Sequence, residues 1–246
     1  MNQTIQTRAS GSLHFQVVDT IGQEIVDSRI EVGDVLNPEV LGARFGVSRS
    51  VIRESLRALE SMGMVVARPQ IGTRVLPAEE WNLLHPQIVA WRGRGQAYLE
   101  QMEQVLEVRF GIELVAARLA TRRMSDRDID RLFEAVDTMA TAAAAGDRTA
   151  YLEADATYHQ VLLSGSGNAL IAQFSQTVSA VLRTREQDRR RLAINELTPQ
   201  SLSEHRELAS TIRERDADKA EAALRIVVSH TLHEFQSLRG ATGDAI

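Results

Sequence analysis

The run Arg44-Phe-Gly-Val-Ser-Arg-Ser-Val-Ile-Arg-Glu-Ser-Leu-Arg-Ala-Leu-Glu-Ser-Met62 separates into a turn and an amphipathic helix. Wound from Ser50 at about 100° per residue, it brings Ile52, Leu56 and Leu59 onto one narrow arc suited to a core. Ser50, Arg53 and Arg57 fall on a neighbouring arc that faces water or a partner. Gly46 permits a tight bend, Val47 is apolar, and Ser48 or Ser50 can cap the helix by accepting from its first free N–H groups. A recognition helix has this layout, with one stripe anchored in a small core and a second offering guanidinium and hydroxyl groups to phosphates and base edges. An ordinary surface helix with arginines on its wet side would show the same two arcs, so the flanking sequence has to decide.

Met64 to Arg68 and Thr73 to Leu76 are short β-prone runs joined by the turn-forming Pro69-Gln-Ile-Gly72. Helix, turn, helix and hairpin in succession predict a winged helix-turn-helix. Between Arg44 and Arg74 six arginines (Arg44, Arg49, Arg53, Arg57, Arg68 and Arg74) face two glutamates (Glu54 and Glu60), inside a chain of net charge -5. A local basic face on an acidic protein suits a polyanion.

Residues Ile25 to Val75 resemble the DNA-binding domain of the GntR family of bacterial transcription regulators. The resemblance rests on Gly33, the Gly-Val-Ser-Arg run 46–49, the Arg53-Glu54 pair, Leu56, Leu59, Gly63 and the Gly72-Thr73 wing tip. It implies DNA contacts from Ser48, Arg49, Ser50 and Arg53, and from the wing around Gly72 and Thr73. Arg44 and Arg57, in the same basic stretch, complete the candidate set. The sequence departs from the family pattern at Asn37-Pro38-Glu39, where a Leu-Pro-Ser/Ala-Glu start is usual, and at Gln70-Ile71, where glycine and a basic residue are common.

The chain of 246 residues is long enough for two cores, and 43% hydrophobic with 25% charged residues is an ordinary globular composition. It holds no run of eighteen apolar residues and no apolar signal core at its start, which predicts a cytoplasmic protein without a membrane span. With zero cysteines, any transition metal must be held by histidine and carboxylate. Only Lys219 among the 28 basic residues is a lysine, which we read as codon bias.

Taken in order, residues 1–12 read as a mobile tail, and Phe15, Val18, Ile21 and Ile25 mark a first helix from Leu13 to Ser28. Pro38 to Phe45 supplies the second helix, with proline in its first turn. The DNA-binding domain is expected over 13–76. Residues 77–95 are expected to form a linker with a short helix, whose Leu84, Ile88 and Trp91 dock one domain on the other.

Beyond Gly95 the texture changes. Tyr98 to Arg122, Asp126 to Ala145, Asp147 to Ser164, Asn168 to Arg190, Pro199 to Arg215 and Asp216 to Leu238 carry apolar residues at helical spacing, and no strand pattern appears. The fold class is therefore mainly α, with an N-terminal winged helix-turn-helix and a C-terminal all-α bundle over 96–238, then a tail over 239–246. A bundle can build a ligand pocket at its centre. Asp155 and His159 stack four apart on one helix, His205 opens another, and His230 and His233 lie on the last. Such a set suits a divalent ion, although an Asp-x-x-x-His pair is more often a plain hydrogen-bonded pair.

Residues Tyr98 to Phe235 resemble the FCD effector domain of the FadR-type branch of the same family. The shared features are Glu107-x-Arg109, Asp155-x-x-x-His159, Asn168, Glu204-His205-Arg206 and the Asp216-Ala-Asp-x-Ala220 helix start. The resemblance implies a divalent metal such as Zn, Ni or Mn on Asp155, His159 and His205, with an organic acid beside it. The family's last histidine falls on Val227 here, leaving His230 as a substitute and His233 as a weaker one.

The effector should be a small carboxylate. Arg109, if buried, needs either a structural partner such as Glu113 or the ligand's carboxylate. Arg183 and Asn168 are further candidates. The segments Asn82 to Trp91 and Glu153 to His159 look most like galactonate- or gluconate-responsive regulators, which implies an aldonate effector. A homodimer presenting two recognition helices to a double-stranded operator, probed as a repressor, is the expectation. Two rivals remain: a metal-dependent hydrolase using Asp155, His159 and His205, which lacks a nearby acid, base or nucleophile, and an architectural DNA binder, which would be basic throughout.

Overall fold

The computed structural model describes residues 3–95, 98–187 and 198–243, with side chains over 13–95, 98–184 and 198–232. The chain divides into two compact units, Met1–Gln96 and Ala97–Ile246. Among the described residues no helix is long and apolar enough to cross a membrane.

The first unit runs α1 (Gln3–Val26), β1 (Val35–Leu36), α2 (Pro38–Phe45), α3 (Arg49–Ser61), β2 (Val65–Arg68), β3 (Gly72–Val75), a single 3₁₀ turn (Ala78–Glu80) and α4 (Pro86–Arg92). Its start signals are chemical ones. Asn37 caps α2 by accepting from Glu39 and Val40 N–H, Pro38 fills the first turn, and Gly46 ends the helix in the left-handed region at φ 64°. Ser48 then caps α3 by accepting from Val51 N–H, which settles the alternative left open with Ser50. The three strands order β1-β3-β2, all antiparallel, with Val65 opposite Val75 and Arg68 opposite Gly72. The short β1 strand has no counterpart in the sequence reading.

Ile52, Leu56 and Leu59 are buried as the helical arc requires, in a core shared with Val17, Val18, Ile21, Ile25, Met64 and Val75. Phe15 departs from expectation at 70% exposure. It lies about 120° around α1 from Ile21, so Val17 takes the inward place. The helix also begins at Gln3, ahead of the expected start at Leu13.

The supposed linker is part of this unit. Ile88 and Trp91 of α4 are fully buried in the same core, while Leu84 is 45% exposed. The Trp91 indole N–H donates to Asp19 Oδ1 at 2.8 Å. Gly22 makes the contact feasible, because a Cβ there would stand 2.3 Å from the indole ring. Ile88 and Trp91 thus dock α4 onto α1 inside the first unit, a packing that the sequence reading did not foresee.

The second unit comprises α5 (Tyr98–Arg123), α6 (Asp126–Ala145), α7 (Arg148–Gly165), α8 (Ala169–Gln187), α9 (Pro199–Arg213) and α10 (Ala217–Gly243). Ser125, Asp147 and Thr198 cap α6, α7 and α9, which is why the sequence boundaries fall within a few residues of these ends. Leu132, Val136, Tyr158, Leu162, Leu208 and Leu224 meet in its main core. The inner face of α5 presents Arg109 and Glu113, that of α7 Asp155 and His159, and that of α9 His205, all of them buried.

Candidate functional site

Two groups of side chains stand out, one in each unit. In the first, a cleft of about 610 Å³ opens between the start of α3 and the wing, lined by Asn37, Glu39, Arg49, Ser50, Arg53, Ile71 and Gly72 among others. Ser48 Oγ bonds Ser50 Oγ at 2.8 Å besides capping the helix, and Thr73 sits half-buried in β3 opposite Ala67. Arg49 reaches Glu39 at 3.0 Å with both side chains exposed. Arg53 and Arg57, four apart on α3, are exposed and have no carboxylate partner among the described residues.

Sequence reasoning counted Arg68 and Arg74 in the basic balance without placing them. Register does so: Val66 opposes Arg74 and Arg68 opposes Gly72, so the two arginines share the face opposite the buried Val65 and Val75. Neither has a carboxylate partner among the described residues. The alternation along the two strands was the available signal.

Arg44 has a partner inside the unit. It forks onto Glu24 of α1, with Nη1 donating at 2.8 Å and Nη2 to the other carboxylate oxygen. That bond holds the Glu24 carboxyl below its usual range. Arg44 closes the last turn of α2, on the far side of the turn from the recognition helix, and serves to tie α2 to α1.

In the second unit the side chains converge from three helices. Asp155 Oδ1 lies 3.3 Å from His159 Nε2 and 3.1 Å from His205 Nε2. One ligand atom from each of Asp155, His159 and His205 falls within 4.8 Å of the others, and all three residues are buried. His205 Nδ1 is 2.7 Å from the Ser201 carbonyl, to which it can only donate. In the neutral ring Nε2 then carries the lone pair, buried without a hydrogen-bond partner and facing the Asp155 carboxylate. A lone pair set against a carboxylate oxygen calls for a cation between them, either a proton or a metal. Two imidazoles and a carboxylate are a sound donor set for a divalent transition ion, and a His205 fixed through its other nitrogen is the usual way such a ligand is oriented. The residues present fit the metal.

Around the cluster the charges are arranged to hold a cation. Arg109 Nε donates to Glu113 Oε1 at 2.7 Å, and His159 Nδ1 lies 3.1 Å from Glu113 Oε2. Arg109 is thus balanced by Glu113, and Asp155 is the carboxylate left over. Burial alone would raise the Asp155 carboxyl, yet His159 and His205 beside it hold it well below the usual carboxylate range. For His159, burial and Arg109 push the pKa down while Glu113 and Asp155 push it up, and the carboxylates prevail. Burial, with Glu113 and Asp155 nearby, drives the Tyr158 phenol well above its ordinary value. It stays protonated and donates to the His205 carbonyl at 2.8 Å, a support that sequence reasoning missed.

Of the two readings open for Arg109, the structural pair with Glu113 is present, and its Nη2 end meets His159 Nε2. Three other candidates lie outside the cluster. Asn168 caps α8, its Oδ1 accepting from Leu170 N–H at 3.0 Å. Arg183 is exposed and forks onto Glu153 at 2.9 and 3.3 Å. His230 is half-exposed against Glu204 at 3.0 Å, whereas Val227, three residues earlier on α10, faces inward. His230 stands about 60° around α10 from Val227, and it is its exposure and its pairing with Glu204 that place it outside the cluster. The His233 side chain lies outside the described residues.

A basic, unpaired surface on a winged helix and a buried polar cluster in a helical bundle define a DNA-binding regulator with a ligand-sensing domain. Residues 13–75 match the bacterial regulatory proteins of the gntR family, and residues 104–230 match the FCD domain. The chain belongs to this family, as a winged helix-turn-helix joined to an FCD domain. It is 31% identical over 218 residues to the galactonate operon transcriptional repressor of Escherichia coli K12, covering 88% of this chain and 94% of that protein. It is 29% identical over 180 residues to YieP, a helix-turn-helix transcriptional regulator of the same organism, covering 73% and 78%. Among solved structures, Lar of Listeria monocytogenes shares the fold at a TM-score of 0.59 and 14% identity, over 92% of this chain and 97% of that one. The family and these relatives are transcription regulators, so neither the hydrolase nor the architectural reading is retained.

Proposed function

We propose that the protein is a dimeric, cytoplasmic repressor whose hold on an operator is released by a small organic acid. The observation that carries the DNA-binding half of this reading is the group of unpaired arginines, Arg53, Arg57, Arg68 and Arg74, around the start of α3 and the wing. Arg49, Ser50 and Arg53 line the cleft beside Gly72, within reach of base edges and phosphates in one major groove, and Ser48, Arg57 and Thr73 flank them. Two copies would place two such helices in successive grooves of a pseudo-palindromic site.

For the sensing half, Asp155, His159 and His205 would hold a divalent ion such as Zn, Ni or Mn, which supplies a Lewis-acidic centre for a carboxylate. Glu113 orients His159, Ser201 and Tyr158 orient His205, and the Nη2 end of Arg109, which lies against His159 Nε2, would be freed as a second anchor for an anion when a metal takes that nitrogen. An aldonate is the favoured class, supported by the 31% identity to a galactonate operon repressor. The acid can release DNA only to the extent that it prefers the arrangement incompatible with the operator.

Thermal unfolding against a panel of aldonates and small dicarboxylates, with and without chelator and added metal, tests the sensing half. An acid at a hundredfold its dissociation constant should add about 2.7 kcal/mol of stability, in a metal-dependent way. Stabilisation by metal alone would restrict the ion to a structural role, and no shift with either would remove the sensing site.

A further inference from the structure

Along the outer face of α5, Val108 and Val115 are 41% and 50% exposed. Gly111 between them is exposed too, and nothing lies within 4 Å of where its Cβ would stand. Spacings of three and four residues set these positions on one stripe, with Ile112 and Leu119 half-buried along its edge. Glycine is among the poorest helix formers, and no neighbour among the described residues requires its missing side chain. A second helix crossing α5 closely would require it.

The charges flanking the stripe divide by end. Exposed Glu100 and Glu107 lie toward its N-terminus and exposed Arg122 toward its C-terminus, while Arg123 turns to the Ser166 carbonyl. Two α5 helices laid antiparallel about a twofold axis beside Gly111 and Ile112 would set Val108 against the partner's Val115. They would also set the acidic end of each helix against the basic end of the other. A parallel arrangement would bring like charges together at both ends. The stripe is therefore complementary to itself, which is what an isologous contact demands.

We infer that this face of α5 receives the α5 of a second copy of the chain, antiparallel, with Gly111 at the twofold axis. The inference rests on the dimer proposed above and says where the helical units meet.

The chain has no cysteine, so Gly111→Cys introduces a single thiol per copy. Mild oxidation of that full-length variant should give a disulfide-linked dimer on a non-reducing gel, whereas Thr141→Cys, on the exposed side of α6, should stay uncrosslinked. Val115→Glu places an unpaired charge in the seam and should raise the dimer dissociation constant about a hundredfold or more by sedimentation, with helical content unchanged. A wild-type chain that sediments as a monomer would end both the dimer and this interface. A wild-type dimer whose Gly111→Cys variant does not crosslink, and whose Val115→Glu variant remains dimeric, would keep the dimer and overturn the face assigned to it. If Val115→Glu fails to fold, Gly111→Cys decides alone.

Discussion

Most exposed arginines of the helical unit rest against a carboxylate, Arg122, Arg123 and Arg127 excepted among the described residues, whereas four around α3 and the wing do not. Across the surface of the helical unit Arg118, Arg131, Arg183, Arg206, Arg213, Arg215 and Arg225 each rest against an aspartate or glutamate. Around the start of α3 and the wing, Arg53, Arg57, Arg68 and Arg74 have no such partner among the described residues. The chain has more acidic than basic residues, 33 against 28, so acids enough exist to pair them. In an acidic protein a cluster of unpaired guanidinium groups suits an external polyanion, while a buried paired guanidinium serves first to hold the fold. Buried Arg109, paired to Glu113 in the centre of the bundle, is of the second kind.

The strongest way to sharpen that contrast is to remove the buried partner. Arg109→Met leaves Glu113 in the core without its cation and should lower stability by about 3–5 kcal/mol, read as a fall in the denaturant midpoint. A loss below 1 kcal/mol would mean that Arg109 is not held as the structure places it. Next comes Arg53→Ala, which should cost about 1–3 kcal/mol of operator affinity and leave the unfolding midpoint in place. Unchanged affinity would break the assignment of α3 as the reading helix.

Metal uptake should follow with a dependence on pH. The pKa of His159 is raised, so in the metal-free protein its proton contributes stability that is fully present below the ordinary imidazole value and lost as pH rises through the folded value. The same rise frees the ring for metal, so affinity should tighten with pH, by about 1.4 kcal/mol per unit for one released proton. Isothermal titration at several pH values in metal-neutral buffer reads this directly, and a flat profile would count against His159 as a ligand. Arg68→Ala should reduce the salt slope of DNA binding by about one and weaken all sequences alike. Smallest of all, Arg206→Ala removes an exposed pair with Asp137 and should change stability by about 1 kcal/mol at most, with no effect on DNA affinity. If it weakened operator binding as Arg53→Ala does, the distinction between paired and unpaired arginines would lose its meaning.

What the sequence disclosed and what it withheld divide along the range of the interactions. The inward arc of Ile52, Leu56 and Leu59, a serine cap at 48 or 50 and the bend at Gly46 are set by neighbours a few residues away, and they were legible, while the Asn37 cap went unread. The stacking of Asp155 on His159 is equally local, whereas His205 joins them from a helix 46 residues further on, and only the family resemblance linked it to them. The Arg44 pairing was not legible because its partner Glu24 lies twenty residues upstream on another helix. The place of α4 in the first unit depends on Trp91 finding Asp19 and Gly22, which periodicity within α4 cannot show. The sequence reading took Asn168 as an effector contact and missed its cap on α8, a role that competes with ligand binding for the same carboxamide oxygen.

The most direct test of the whole account is a fluorescence-anisotropy titration of the full-length protein onto DNA selected from a random pool, repeated with each aldonate of the panel and again after chelation. The account predicts a marked preference for the selected DNA over random DNA, weakened by one acid, with that weakening abolished when metal is removed. Binding that is indifferent to DNA sequence, or sequence-specific binding that no acid alters in the presence of metal, would contradict it.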